Sequence, residues 1–178
     1  MYIQISKRPY TFVPTNIVSV DMKIEEVIKS NVALDDAKKV LLNLMYAQNV
    51  IGDKFNELLK PYDVSAEQYN VLRILRGQKG SAVNMCDIQE RMLAKNSNTT
   101  RLIDKLLVKD YVTREICPVN RRKMEILITA KGLSFLEELE EKVKAHEQSF
   151  ASNLTTDELQ YLNQLLEKYR TIKNEESI

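Results

Sequence analysis

The chain has 178 residues, 44% of them hydrophobic and 29% charged, with 26 Lys and Arg against 25 Asp and Glu for a formal net charge of +1. That length suits a single domain with a real core, and the near-neutral total means that any affinity for nucleic acid must come from where the charges lie. Four Gly, four Pro and one His leave little material for phosphate-cradling loops, metal clusters or acid–base pairs, so the composition argues against an enzyme and predicts a mostly helical chain without metal or cofactor.

Residues 1–30 read as an N-terminal extension or arm. Tyr2-Ile-Gln-Ile5 and Tyr10-Thr-Phe-Val13 are strand-like runs broken by Pro9 and Pro14, and residues 22–29 suit a helical turn or two. Lys7 and Arg8 lead into Pro9, Thr11 and Pro14 rather than an apolar run, so no signal peptide is expected. No window approaches the ~18 apolar residues of a membrane span. Cys86 and Cys117 make no disulfide framework and fit a reducing cytoplasm.

The first long helix is predicted from about Leu34 to about Lys60. Leu34, Ala37, Leu41, Leu44, Gln48, Ile51, Phe55 and Leu58 alternate spacings of three and four, a heptad-like stripe with one polar interruption. Val40, Met45, Ala47, Val50 and Leu59 widen that face, and Pro61 ends the helix. Ser65-x-x-Gln68 is a capping-box signature for a helix over 65–77 with Tyr69, Leu72, Ile74 and Leu75 for a core. Ser81-Ala-Val83 reads as a short extended link. A helix starting at Ser81 or Asn84 then runs through about Leu93.

Asn96 or Ser97 caps the next helix, over 97–109. Leu102, Ile103, Leu106 and Leu107 form its buried ridge, and Asn98, Arg101 and Lys105 lie roughly opposite. The connection around Ala94–Asn96 is as short as a helix-turn-helix requires. Residues 111–117 and 123–129 alternate like strands, and Pro118-Val-Asn-Arg-Arg122 joins them into a hairpin with a basic tip. One helix follows over 130–152, with His146 on its apolar stripe. A last one opens at the capping box Thr155-x-x-Glu158 and carries Leu159, Leu162, Leu165, Leu166, Tyr169 and Ile172.

Charge is segregated along this order. From Lys95 to Lys123 there are eight basic and three acidic residues, a local surplus of five, and Glu137, Glu138, Glu140 and Glu141 follow almost at once. A local positive field can hold phosphates while the whole molecule stays near neutral. Asn98, Thr99, Thr100 and Arg101 carry the donors and acceptors that read base edges in a major groove. Ser97 and Lys105 suit phosphates. Arg121, Arg122 and Lys123 suit the adjacent minor groove, where arginine is favoured.

Three segments in this order and spacing resemble the MarR family of bacterial regulators: Ser97-Asn-Thr-Thr-Arg-Leu-Ile-Asp-Lys-Leu106, Lys109-Asp-Tyr-Val-Thr-Arg114, and Asn120-Arg-Arg-x-x-x-Ile-x-Ile-Thr-x-x-Gly132. The resemblance covers about residues 34–172. It implies a mostly α fold with a small β-hairpin wing, a winged helix-turn-helix with N- and C-terminal dimerisation helices. In residue terms that is an arm over 1–30 and a MarR-like domain over 31–178, with dimerisation helices at 34–60 and 130–173 and a DNA-binding lobe at 61–129. It also implies a homodimer bound to a double-stranded, pseudo-palindromic operator, a repressor released by a small aromatic or phenolic effector. Recognition then falls to the 97–109 helix and the wing tip to Arg122. Met45, Tyr46 and Tyr69 are candidate effector contacts. The alternative is a winged-helix interaction scaffold without DNA binding.

Two positions depart from the family pattern: Asn120 stands where an Asp is common, and Asp110 where a Gly is common at the turn after the recognition helix. The family's peroxide-sensing branch uses a cysteine near the start of the first long helix, and residues 31–45 contain none. Gln48 and His146 remain open between an effector or pH-sensing role and ordinary interface hydrogen bonding. Cys117 is open between a thiolate favoured by the basic tip and an incidental cysteine.

Overall fold

The structure, a computed structural model, describes residues 22–95, 97–117, 120 and 123–171. The strand-like runs before Met22, the alternative cap Asn96, the wing-tip residues Arg121 and Arg122, and Ile172 lie outside them. The chain divides into two units, Met1–Asn49 and Val50–Ile178, and the boundary falls inside one helix.

In the first unit a short helix α1 (Ile24–Val27) buries Ile24. The Lys39 ammonium lies 2.8 Å from the Glu25 carboxylate and holds its pKa below the ordinary range. Asp35 accepts from the Lys38 amide at 2.8 Å, which satisfies one of the orphan donors at the start of α2 (Asp36–Leu59). Val40, Leu41 and Met45 on α2 are exposed.

The second unit holds the core. α2 ends in a 3₁₀ turn at Lys60–Tyr62, and Asp63 takes a left-handed conformation with φ 51°. The capping box then forms as the sequence predicts: Ser65 accepts from the Gln68 amide and Gln68 accepts from the Ser65 amide, opening α3 (Ala66–Gly77). Val83–Asn84 forms a strand, β1, where the sequence suggests only an extended link. Asn84 caps α4 (Met85–Arg91) by accepting from the Asp87 amide at 3.0 Å. α5 (Thr99–Val108), β2 (Val112–Ile116), β3 (Met124–Ile128), α6 (Ala130–Ala151) and α7 (Thr156–Tyr169) complete the order.

The sheet is antiparallel with order β1-β3-β2, so the wing hairpin gains a short third strand. Val83 and Arg114 both stand opposite Ile126, and Val112 stands opposite Ile128. Cross-strand partners share a face, so one face of the sheet carries Val83, Ile126 and Val112 into the core and carries Arg114 towards α5. Leu59, Leu72, Leu75, Ile88, Met92, Ile103, Leu106, Ile126, Leu136 and Leu139 are each at most 2% exposed and form that core with their neighbours. Each contributes on the order of 1.5–3 kcal/mol by leaving water.

An aromatic row extends it. The Phe55 ring lies 5.3 Å from Tyr69 and 5.2 Å from His146, and His146 lies 5.3 Å from Phe150. Burial pushes the His146 pKa down against the opposing pull of Glu147. α7 differs from the other long helices: it buries none of its side chains, and Tyr161, Leu162, Leu165 and Tyr169 are exposed. Among the described residues no helix is long and apolar enough to cross a membrane, and no group of three or more His, Cys, Asp or Glu is placed to hold a metal ion.

Candidate nucleic-acid interface

α4 and α5 are joined by a turn that side chains hold closed. Gln89, half-buried on α4, donates to the Lys95 carbonyl and accepts from the Thr99 hydroxyl. Lys95 donates back to the Glu90 carbonyl. Ser97 donates its hydroxyl to the Ala94 carbonyl at 2.7 Å. Ser97 therefore does not supply the cap seen at α5. Asn98 does, its Oδ1 accepting from the Arg101 amide at 3.1 Å.

That arrangement sorts the residues expected to meet DNA. Asn98, Thr100, Arg101 and Lys105 are exposed, and Ser97 is half-buried. Thr99, also expected to meet DNA, is 6% exposed and donates its hydroxyl to Gln89, so in this structure it packs towards α4. A side chain facing α4 cannot also face solvent. The ridge of Ile103 and Leu106 is buried as the helical period requires, with Leu102 and Leu107 packed beside it. Among the described residues Arg101, Lys105 and Lys123 make no ion pair.

The neighbouring cations are committed instead. Lys109 donates to Asp63 at 2.8 Å and holds that carboxyl below its ordinary pKa range, tying the end of α5 to the turn before α3. Arg114 on β2 donates to Asp104 on α5 at 2.8 Å and braces the wing against the helix. Asp104, one of the three acidic residues of the basic segment, is thereby paired from the wing side.

The far end of α5 is fixed just as firmly. Asp110 adopts φ 57°, the left-handed position usually filled by Gly. Its amide donates to Leu107 O and the Tyr111 amide to Leu106 O, the hydrogen-bond pair that ends a helix in a Schellman motif. The Thr129 hydroxyl donates to Asp110 O at 2.7 Å and accepts from the Gly132 amide at 3.0 Å, capping α6 in the same stroke. Gly132 lies so close that a Cβ there would stand 2.3 Å from Tyr111 O. The Thr-x-x-Gly element noted in the sequence is thus the seam between the end of α5, the wing and α6.

At the wing, Cys117 N donates to Lys123 O at 3.0 Å and Lys123 N to Asn120 O at 2.8 Å. Lys123 is exposed, Cys117 half-buried and Cys86 exposed. Of the candidate effector contacts, Met45 is 54% exposed and Tyr46 half-buried in the first unit. Tyr69, in the second, is a core ring 6% exposed, with burial pushing its pKa up. Gln48 is exposed. Gln89 escaped the sequence reading because a glutamine on a short helix gives no local sign of a partner ten residues away.

The sequence model of the MarR family matches residues 64–124, which run from the turn before α3 to the first residue of β3. The chain is 29% identical over 114 residues to the multiple antibiotic resistance protein MarR of Escherichia coli strain K12, spanning 64% of this chain and 78% of that protein. The crystal structure of a mutant Escherichia coli MarR complexed with operator DNA matches with a TM-score of 0.65 at 25% identity, covering 85% of this chain and all of that one. A MarR transcription factor from Planctomyces limnophilus matches with a TM-score of 0.60 at 32% identity over 76% of this chain and 98% of that one. A braced wing beside a cationic helix, in this element order and at this level of identity, places the chain in the MarR family of winged helix-turn-helix transcriptional regulators.

Proposed function

We propose that the protein is a homodimeric, sequence-specific DNA-binding regulator that represses from a pseudo-palindromic operator and is released by a small aromatic or phenolic effector. The observation that carries this reading is the exposed face of α5, where Arg101 and Lys105 stand without an ion pair among the described residues while the flanking Lys109 and Arg114 are committed to Asp63 and Asp104. Unpaired cations on a helix fixed at both ends suit a polyanionic partner.

In this reading α5 enters the major groove. Ser97 and Lys105 hold phosphates, Asn98, Thr100 and Arg101 face bases, and Lys123 with Arg121 and Arg122 serves the adjacent minor groove. Residues 61–129 form the DNA-binding lobe, 34–60 and 130–173 the dimerisation helices, and 1–30 an arm. The apolar side chains exposed on α7, and those exposed on α2, are of the kind a second copy covers. Met45 and Tyr46 stay accessible to an effector, whereas Tyr69 is covered. The relatives are regulators, and the reading assigns no catalytic residue, metal or cofactor. It fits the cytoplasmic location expected from the sequence.

Selection of bound duplexes from a random pool tests it. The expected product is two half-sites related by a dyad and spaced about one helical turn, ~34–36 Å, apart. Arg122→Ala is expected to weaken binding to that product and lower its salt slope by about 1. A pool with no enriched sequence refutes the regulator and leaves the scaffold reading in its place.

A further inference from the structure

A base edge is read by matching donors to acceptors. Cytosine N4 and adenine N6 are donors and need an acceptor on the protein, whereas guanine offers two acceptors, O6 and N7, side by side. The acceptors of the 97–108 segment are largely spent. Asn98 Oδ1 accepts from the Arg101 amide. Because an N–H requires an oxygen there, the side-chain amide is fixed with its Nδ2 donors outward. The Thr99 hydroxyl is buried against Gln89. Asp104 is paired with Arg114 at 2.8 Å. Beside the exposed but paired Asp104 carboxylate, what remains exposed is the Asn98 Nδ2 group, the Arg101 guanidinium and the Lys105 ammonium, all donors, together with the single hydroxyl of Thr100.

We propose that this reading face selects guanine, with Arg101 donating to its O6 and N7 and Asn98 acting as a one-way donor. Asparagine's familiar two-point recognition of adenine needs its oxygen to accept from N6 and its nitrogen to donate to N7. While Asn98 caps α5 its Oδ1 is turned to the Arg101 amide, which leaves the Nδ2 group as its outward edge. This rests on α5 being the helix that enters the major groove.

The test uses the full chain and the duplex recovered by selection. Each half-site is expected to hold a required guanine, and replacing it by 7-deazaguanine removes one of two acceptors without touching Watson–Crick pairing. Binding of the unmodified protein is expected to weaken at least about fivefold, the low end for a bidentate contact. Arg101→Ala is expected to bind both duplexes alike. Asn98→Ser keeps a capping oxygen and is expected to melt like the parent yet bind at least about fivefold more weakly. A half-site without a required guanine, a 7-deaza duplex bound as tightly as its parent, or an Asn98→Ser protein with full affinity overturns the proposal while the DNA-binding function stands. Failure to enrich any sequence removes that function itself, and the proposal with it. The deaza comparison needs no protein variant, so it decides the matter even if a substitution impairs folding.

Discussion

Replacing Gly132 by Ala puts the interior geometry to its most direct trial. The added Cβ would lie 2.3 Å from the Tyr111 carbonyl oxygen and 2.9 Å from Ile128 Cγ1, the first about 1.1 Å inside ordinary contact. Tyr111 O cannot simply retreat. It accepts from the Thr129 amide at 3.0 Å, the Tyr111 amide donates to Leu106 O at 3.0 Å, and its ring stacks on Phe135 at 4.8 Å. Overpacking against backbone held in this way belongs at the upper end of the usual range, about 3 kcal/mol. Alanine's better helix propensity returns up to about 1 kcal/mol. The net expectation is a loss of about 2 kcal/mol, or about 4–8 °C in melting temperature for a chain of this size. Urea unfolding at fixed protein concentration measures it as a lower midpoint at unchanged slope. Gly77→Ala provides the opposite sign from the same chemistry: nothing lies within 4 Å of a Cβ there and φ is not positive, so a gain of about 0.4–1 kcal/mol is expected. Gly132→Ala unfolding at or above the parent's urea concentration would show that the seam yields freely, and the reasoning fails.

Thr99→Val preserves volume but removes the hydroxyl donated to Gln89, so a loss of about 1 kcal/mol is expected in urea unfolding; an unchanged midpoint would return Thr99 to the DNA-facing residues. Asp63→Asn tests the Lys109 pair while keeping a residue that tolerates the left-handed turn. Lys109 depresses the folded pKa of Asp63, so this contribution is complete above the unfolded value and is lost as pH falls through the folded one. Stability of the parent should therefore fall more steeply than that of Asp63→Asn below about pH 4, and parallel pH–stability curves would contradict the assignment.

What was legible in the sequence was local or periodic. Both capping boxes, Ser65 with Gln68 and Thr155 with Glu158, form because each closes within four residues. The ridge of α5 follows from the helical period, and β2 and β3 form where the sequence runs are strand-like. Asp110 could be expected at a left-handed turn from its place after the recognition helix. The misplaced features depend on contacts that cross the chain. Asn96, Ser97 and Asn98 are all good caps, and the choice falls to Asn98 because the turn before it is closed by Gln89 and Ser97. Thr99 is polar and next to a cap, so only its packing against α4 reveals that it is buried. The Lys109–Asp63 pair joins residues 46 apart, and β1 is too short to alternate visibly.

α7 spans fourteen residues and fully buries none of its side chains, and a helix of that length on its own is only marginally persistent in water. Its order must be borrowed from whatever covers Tyr161, Leu162, Leu165 and Tyr169. Where that cover is a second copy, mass action enters the folding equilibrium, and each tenfold dilution subtracts about 1.4 kcal/mol from the apparent stability. The melting temperature of this protein then belongs to the cuvette as much as to the polypeptide.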